Sequence, residues 1–88
     1  MKVPNGKLRI AGRDFRVSIV EGLADFGSSD LNNQIILLMK EQTDEGKFSA
    51  AIHEVIEMVN SIYDLNLPHQ TIQTLEAAAF QIIKDNNF

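Results

Sequence analysis

One five-residue stretch, residues 53–57 (H-E-V-I-E), differs by a single ligand from a helical pattern that binds zinc. In the pattern H-E-x-x-H, two His side chains at positions i and i+4 share one helix face and bind the metal, and the Glu after the first His acts as general base. Here the i+4 position is Glu57, and a carboxylate is also a zinc ligand. The stretch therefore predicts a zinc site with His53 and Glu57 as ligands and Glu54 as the base.

Three more polar residues are candidates for the same site. His69 opens the second predicted helix and is a third possible ligand. Glu76, seven residues further on, competes with His69 for that role, and otherwise would orient a metal-bound imidazole from behind. Asn60 shares the helix face of His53 and is either structural or a polar support of the ligands. A solvated face of an acidic amphipathic helix has the same sequence pattern, so that interpretation stays open.

Composition restricts the kind of site that is possible. The 88 residues suit one small domain, taken here as residues 1–88, and contain no cysteine. Disulfides, a Cys nucleophile and thiolate zinc sites are therefore excluded, so that a metal would be held by His and carboxylate. That ligand set suits a catalytic zinc site with an open position better than a closed structural site.

The charge and hydropathy patterns indicate which partners to expect. Twelve acidic and eight basic residues give a net charge of −4 without a Lys/Arg cluster, so no nucleic-acid partner is expected. No apolar run approaches the roughly 20 residues of a membrane span, and residues 1–6 lack the apolar core of a secretory signal. We expect a cytoplasmic protein that acts on a peptide or protein and has no membrane partner.

Residues 1–42 are predicted to form a β-sheet half. Residues 7–10 and the alternating stretch 15–20 flank a turn at Gly12-Arg13, which is typical of a hairpin. Residues 27–31 and 34–39 flank Asn32-Asn33, a pair that suits a second tight turn. The apolar run 35–39 could also begin a helix, but its length and the preceding turn favour a strand. We expect a small antiparallel sheet of two hairpins.

Residues 43–88 are predicted to form a half with two antiparallel helices, which makes the fold class α+β. Thr43 is a plausible N-cap of the first helix, and Pro68 fits the first turn of the second. The predicted core stripes are Phe48, Ile52, Val55, Val59 and Ile62 on the first helix and Ile72, Leu75, Ala79, Ile82 and Ile83 on the second. The polar stripes border these apolar ones, so they could face each other across a cleft.

Several motifs follow one another along the chain: G-x-x-D-x-N-x-Q-x-I at 27–36, the cap Thr43, I-H-E at 52–54 and Q-I-I-K-D-N at 81–86. With the order of the elements, they resemble a family of very short zincin-like proteins from phages and prophages of Gram-positive bacteria. Many members look like H-E-x-x-H followed twelve residues later by a Glu. In this chain Glu57 replaces the second His and His69 replaces that Glu, so two His and one Glu remain.

The resemblance implies a zincin-like fold and a minimal zinc-dependent metallopeptidase or amide hydrolase, with His53, Glu57 and His69 on the metal and Glu54 as base. An extended substrate could add to the edge of the hairpin at residues 27–39 through backbone hydrogen bonds. The main alternative is a non-catalytic phage or prophage module that keeps the fold and binds a protein through its acidic helical face. A helix-mediated dimerisation module is a third, weaker option.

Overall fold

The computed structural model describes residues 3–86, and these form four strands followed by two helices. The predictions for residues 1, 2, 87 and 88 lie outside the described part. The predicted α+β class and the order of elements are confirmed. The elements are β1 (Gly6–Ile10), β2 (Arg13–Val20), β3 (Gly27–Asp30), β4 (Ile35–Met39), α1 (Asp44–Ile62) and α2 (His69–Asn86).

The sheet joins both predicted hairpins in the order β1-β2-β4-β3. Each hairpin is antiparallel, but β2 and β4 pair in parallel, with Arg16 opposite Ile35. The sheet is therefore mixed, whereas an antiparallel sheet was expected. The sequence signals for hairpins specify pairing only within each hairpin. The apolar β4 takes a central position, and the short polar β3 lies at an edge, where polar strands are tolerated best.

One face of the sheet carries the core and is covered by α1. Its largest fully buried side chains alternate along the two central strands: Phe15 and Val17 on β2, Ile36 and Leu38 on β4. On α1 the deepest residues are Ala50, Ala51, Glu54 and Met58, and the predicted stripe that starts at Phe48 is only partly buried. The most buried face of α1 therefore lies to one side of the predicted core stripe. Small Ala side chains let α1 approach the sheet closely, while Phe48 meets Phe80 of α2 edge-on, with ring centroids 6.3 Å apart.

The second helix packs antiparallel to the first, as predicted. Contacts between the helices run in opposite sequence directions, from Glu45 with Lys84 to His53 with Glu76. Within residues 3–86, α2 packs on α1 and on no strand, so only a narrow strip of it is covered. Ile72 is buried, but the predicted core residues Leu75 and Ile82 are 45% and 55% exposed.

Hydrogen bonds stabilise the first turn of each helix. The Thr43 hydroxyl accepts a hydrogen bond from the Gly46 N–H at 3.0 Å, so the predicted N-cap is confirmed. Pro68 lies just before α2 and accepts the N–H of Ile72 at 3.1 Å. Neither described helix has the length and apolarity needed to cross a bilayer.

Candidate active site

An open cleft of about 900 Å³ lies where β3, α1 and α2 meet. The first helix contributes three of the predicted site residues to its lining, and the second helix contributes two. The edge strand β3 forms the opposite wall with Gly27, Ser28 and Ser29. The predicted residues that the fold brings together here are His53, Glu54, Glu57, His69 and Glu76.

A side chain of α2 orients the His53 ring through a hydrogen bond. Its Nδ1 lies 2.7 Å from Oε1 of Glu76, and the other oxygen of Glu76 accepts a hydrogen bond from the Ser49 hydroxyl at 2.6 Å. A hydrogen bond between Nδ1 and a carboxylate requires the proton to be on Nδ1. In its neutral form such a ring presents the lone pair of Nε2, which is the arrangement that a metal-binding imidazole needs.

Glu57 lies on the Nε2 side of the same ring, and the ring of His69 lies beside it. Oε2 of Glu57 is 3.8 Å from Nε2 of His53, one helical turn away. The rings of His53 and His69 meet edge-on, with centroids 5.8 Å apart and planes at 70°. His69 is exposed in the first turn of α2. The three predicted ligands are therefore neighbours, although they come from two helices.

Glu54 is a buried charged side chain, with 8% of its surface exposed. The Ser29 hydroxyl of β3 donates a hydrogen bond to its Oε1 at 2.6 Å. Burial raises the pKa of Glu54 above the ordinary value of a Glu, an effect that Ser29 and His53 oppose and that Glu57 and Glu76 reinforce. A raised pKa strengthens this carboxylate as a proton acceptor, because a general base works best with a pKa near the working pH.

The donor groups can be compared with the requirements of zinc. Two ligand atoms on a tetrahedral zinc ion lie about 3.3 Å apart, and two bound imidazole centroids about 5 Å apart, given Zn–N bonds of about 2.0–2.1 Å. The observed separations, 3.8 Å for His53–Glu57 and 5.8 Å for the two rings, are slightly wider. Among residues 3–86 no three His, Cys, Asp or Glu side chains converge into a preformed metal site. Two imidazoles and a carboxylate are nonetheless a zinc donor set.

Asn60 is the one candidate that the fold does not bring to the cleft. Its Oδ1 accepts the N–H of Leu67 at 2.9 Å, and its backbone carbonyl accepts the N–H of Leu65 at 3.0 Å. Asn60 therefore braces the connection between α1 and α2. Of the two roles considered for it, the structural one agrees with these contacts.

Three contributors to the site were missed by sequence reasoning. Ser49 lies one turn before His53 on α1, a spacing that could have indicated it. Ser29 had no local signal, because its contact with Glu54 depends on how β3 lies over α1. Gly27 lines the cleft beside Glu54, and a glycine within a strand often marks such a close approach.

Comparison of the chain with protein-family models, curated proteins and solved structures gave no match.

Proposed function

We propose that this chain is a minimal zinc-dependent metallopeptidase or amide hydrolase of the phage and prophage type that its sequence resembles. The observation that supports this most is the shared cleft. His53, Glu57 and His69 lie beside one another in it, with the buried Glu54 at the base position.

In this proposal His53, Glu57 and His69 hold the metal, and Glu76 keeps His53 in the tautomer that exposes Nε2. When bound, zinc would supply Lewis acidity towards a substrate carbonyl and a lower pKa for water. Glu54 would accept the proton of the attacking water, because its burial raises its pKa and Ser29 keeps its carboxylate in place.

The edge strand would position the substrate. Within the described sheet β3 pairs only with β4, so its outer backbone groups are available to an extended peptide. The same strand lines the cleft through Gly27 and Ser29. A peptide paired with β3 would therefore run past Glu54 and the three candidate ligands.

The proposal is tested by metal content and turnover. Protein purified without an affinity tag or chelator should hold about one zinc per chain, which EDTA removes and which His53→Ala lacks. It should cleave an unstructured protein substrate, and Glu41→Gln, which changes an exposed acid outside the cleft, should behave as the wild type. Failure to bind zinc at any concentration would contradict the proposal.

A second candidate is a non-catalytic phage or prophage module that binds a protein partner. The exposed apolar residues Leu75 and Ile82 on α2 favour it, because such side chains suit a protein interface. Wild-type protein that holds zinc but cleaves nothing across a broad peptide library would support this function over the enzymatic one.

A further inference from the structure

Two residues of the edge strand lie beside Glu54. Gly27 and Ser29 are two positions apart on β3, so both face α1, whereas Ser28 between them faces the other side of the sheet. The Ser29 hydroxyl donates to Oε1 of Glu54 at 2.6 Å. A Cβ atom at position 27 would lie 3.1 Å from Oε2 and 3.2 Å from Cγ of Glu54, which is tighter than ordinary packing.

These contacts distinguish the two oxygens of the Glu54 carboxylate. Oε1 is engaged by Ser29. In the described part of the chain Oε2 has no hydrogen-bond partner, and no fully buried side-chain oxygen is left without one. Oε2 therefore keeps access to solvent, although the residue as a whole is buried. The space beside it is open because Gly27 has no side chain.

We propose that Ser29 and Gly27 are positioning residues for Glu54, which make Oε2 the oxygen that accepts the proton. This inference rests on the proposed function. Ser29 restrains the carboxylate by holding Oε1, and Gly27 keeps the approach to Oε2 free. The water oxygen bonds to the substrate carbonyl carbon as its proton passes to Oε2. When the C–N bond then breaks, that proton goes to the departing amine nitrogen, so Glu54 regains its initial state.

A purely structural role for the same contacts would have different consequences. A hydrogen bond that only ties β3 to α1 would affect folding, and any variant that folds would turn over substrate normally. A positioning role instead lowers kcat at unchanged KM and unchanged zinc affinity, since an error of about 1 Å in the position of a reacting group can reduce the rate about 100-fold.

The first test examines the contact without metal or turnover. Ser29→Ala should lower the urea midpoint of unfolding in the wild-type background and have little effect in a Glu54→Met background, which lacks the acceptor. Ser28→Ala, on the opposite face of the same strand, should shift the midpoint in neither. An equal shift by Ser29→Ala in both backgrounds would overturn the proposal, because the hydroxyl would then not act through Glu54.

The second test measures kinetics on an unstructured protein substrate. Ser29→Ala should reduce kcat about 10- to 100-fold, with KM and the Kd for zinc unchanged, and Ser29→Thr, which keeps a hydroxyl, should restore most of it. Gly27→Ala should lower kcat as well, whereas Ser61→Ala, at an exposed position outside the cleft, should not. If the protein is active and Ser29→Ala has the same kcat as Ser61→Ala, this inference alone is overturned. Wild-type protein without zinc and without turnover would overturn the proposed function, and this inference with it.

Discussion

Oε1 of Glu76 lies 2.7 Å from Nδ1 of His53 and thereby connects α2 to the candidate metal-binding helix across the cleft. The same carboxylate is anchored on its other oxygen by Ser49. Both oxygens of Glu76 therefore already have hydrogen-bond partners. In the proposed site Glu76 would orient His53 and His69 would be the third ligand, and the first prediction tests this division of roles.

Glu76→Gln is expected to weaken zinc binding by about 10–100-fold, as removal of the partner of a metal-binding His usually does. His69→Ala should weaken it more, since it removes a ligand. Isothermal titration with zinc measures both affinities. Glu45→Gln is the charge-matched control, because the carboxylate of Glu45 pairs with Lys84 away from the cleft. The reverse order of effects would make Glu76 the third ligand.

Ser49→Ala should reduce zinc affinity less than Glu76→Gln does. The Ser49 hydroxyl donates to the second oxygen of Glu76 at 2.6 Å, so it would affect a bound metal only through Glu76. Ser61→Ala provides a control on an exposed Ser of the same helix and should leave the affinity unchanged. If Ser49→Ala had no more effect than Ser61→Ala, the Ser49 contact would contribute nothing to the orientation of His53.

Glu54→Gln should retain the fold and zinc while turnover falls by about 10²–10⁴, the usual contribution of a positioned general base. The amide keeps the shape of the side chain but cannot accept a proton from water. Turnover of an unstructured protein, measured beside zinc content, checks both parts. Normal turnover by Glu54→Gln would show that another group is the base.

Burial of Glu54 should also make stability depend on pH. Because burial raises its folded-state pKa above the unfolded value near 4.5, its contribution is fully present below that value and is lost as pH rises through the folded pKa. Metal-free wild type should therefore lose stability relative to Glu54→Gln between pH 4 and pH 8. Urea unfolding of both proteins at the two pH values tests this. If the difference in stability between the two proteins stayed constant with pH, the burial of Glu54 would be contradicted.

Apolar residues that differ in burial should differ in how much their truncation lowers the free energy of unfolding. Leu38 is fully buried under α1, so Leu38→Ala should lower the free energy of unfolding by about 2–5 kcal/mol. Leu75 is 45% exposed, and Leu75→Ala should change that free energy by only about 0.5 kcal/mol. Urea unfolding of both variants provides the comparison, and a large loss from Leu75→Ala would mean that α2 buries this side chain in solution.

Local geometry explains which features were predictable from the sequence. Residues four apart share a helix face, so His53 and Glu57 had to be neighbours once the helix formed. The Thr43 cap and the two hairpins likewise depend on residues close together in the chain. The α+β class followed from these signals, because each of them depends only on residues close together in the chain.

The other features of the sheet and of the site depend on how segments far apart in the chain pack together. Ser29 and Glu54 are 25 positions apart, and His53 and Glu76 are 23 apart, so these hydrogen bonds exist only because β3 and α2 both pack on α1. The parallel pairing of β2 with β4 has the same origin. Hydrophobic periodicity identifies a helix face but does not show which part of it meets the sheet and which meets a second helix. Hence the sequence could name Glu54 as a candidate base, while its burial beneath the edge strand emerged only from the assembled fold.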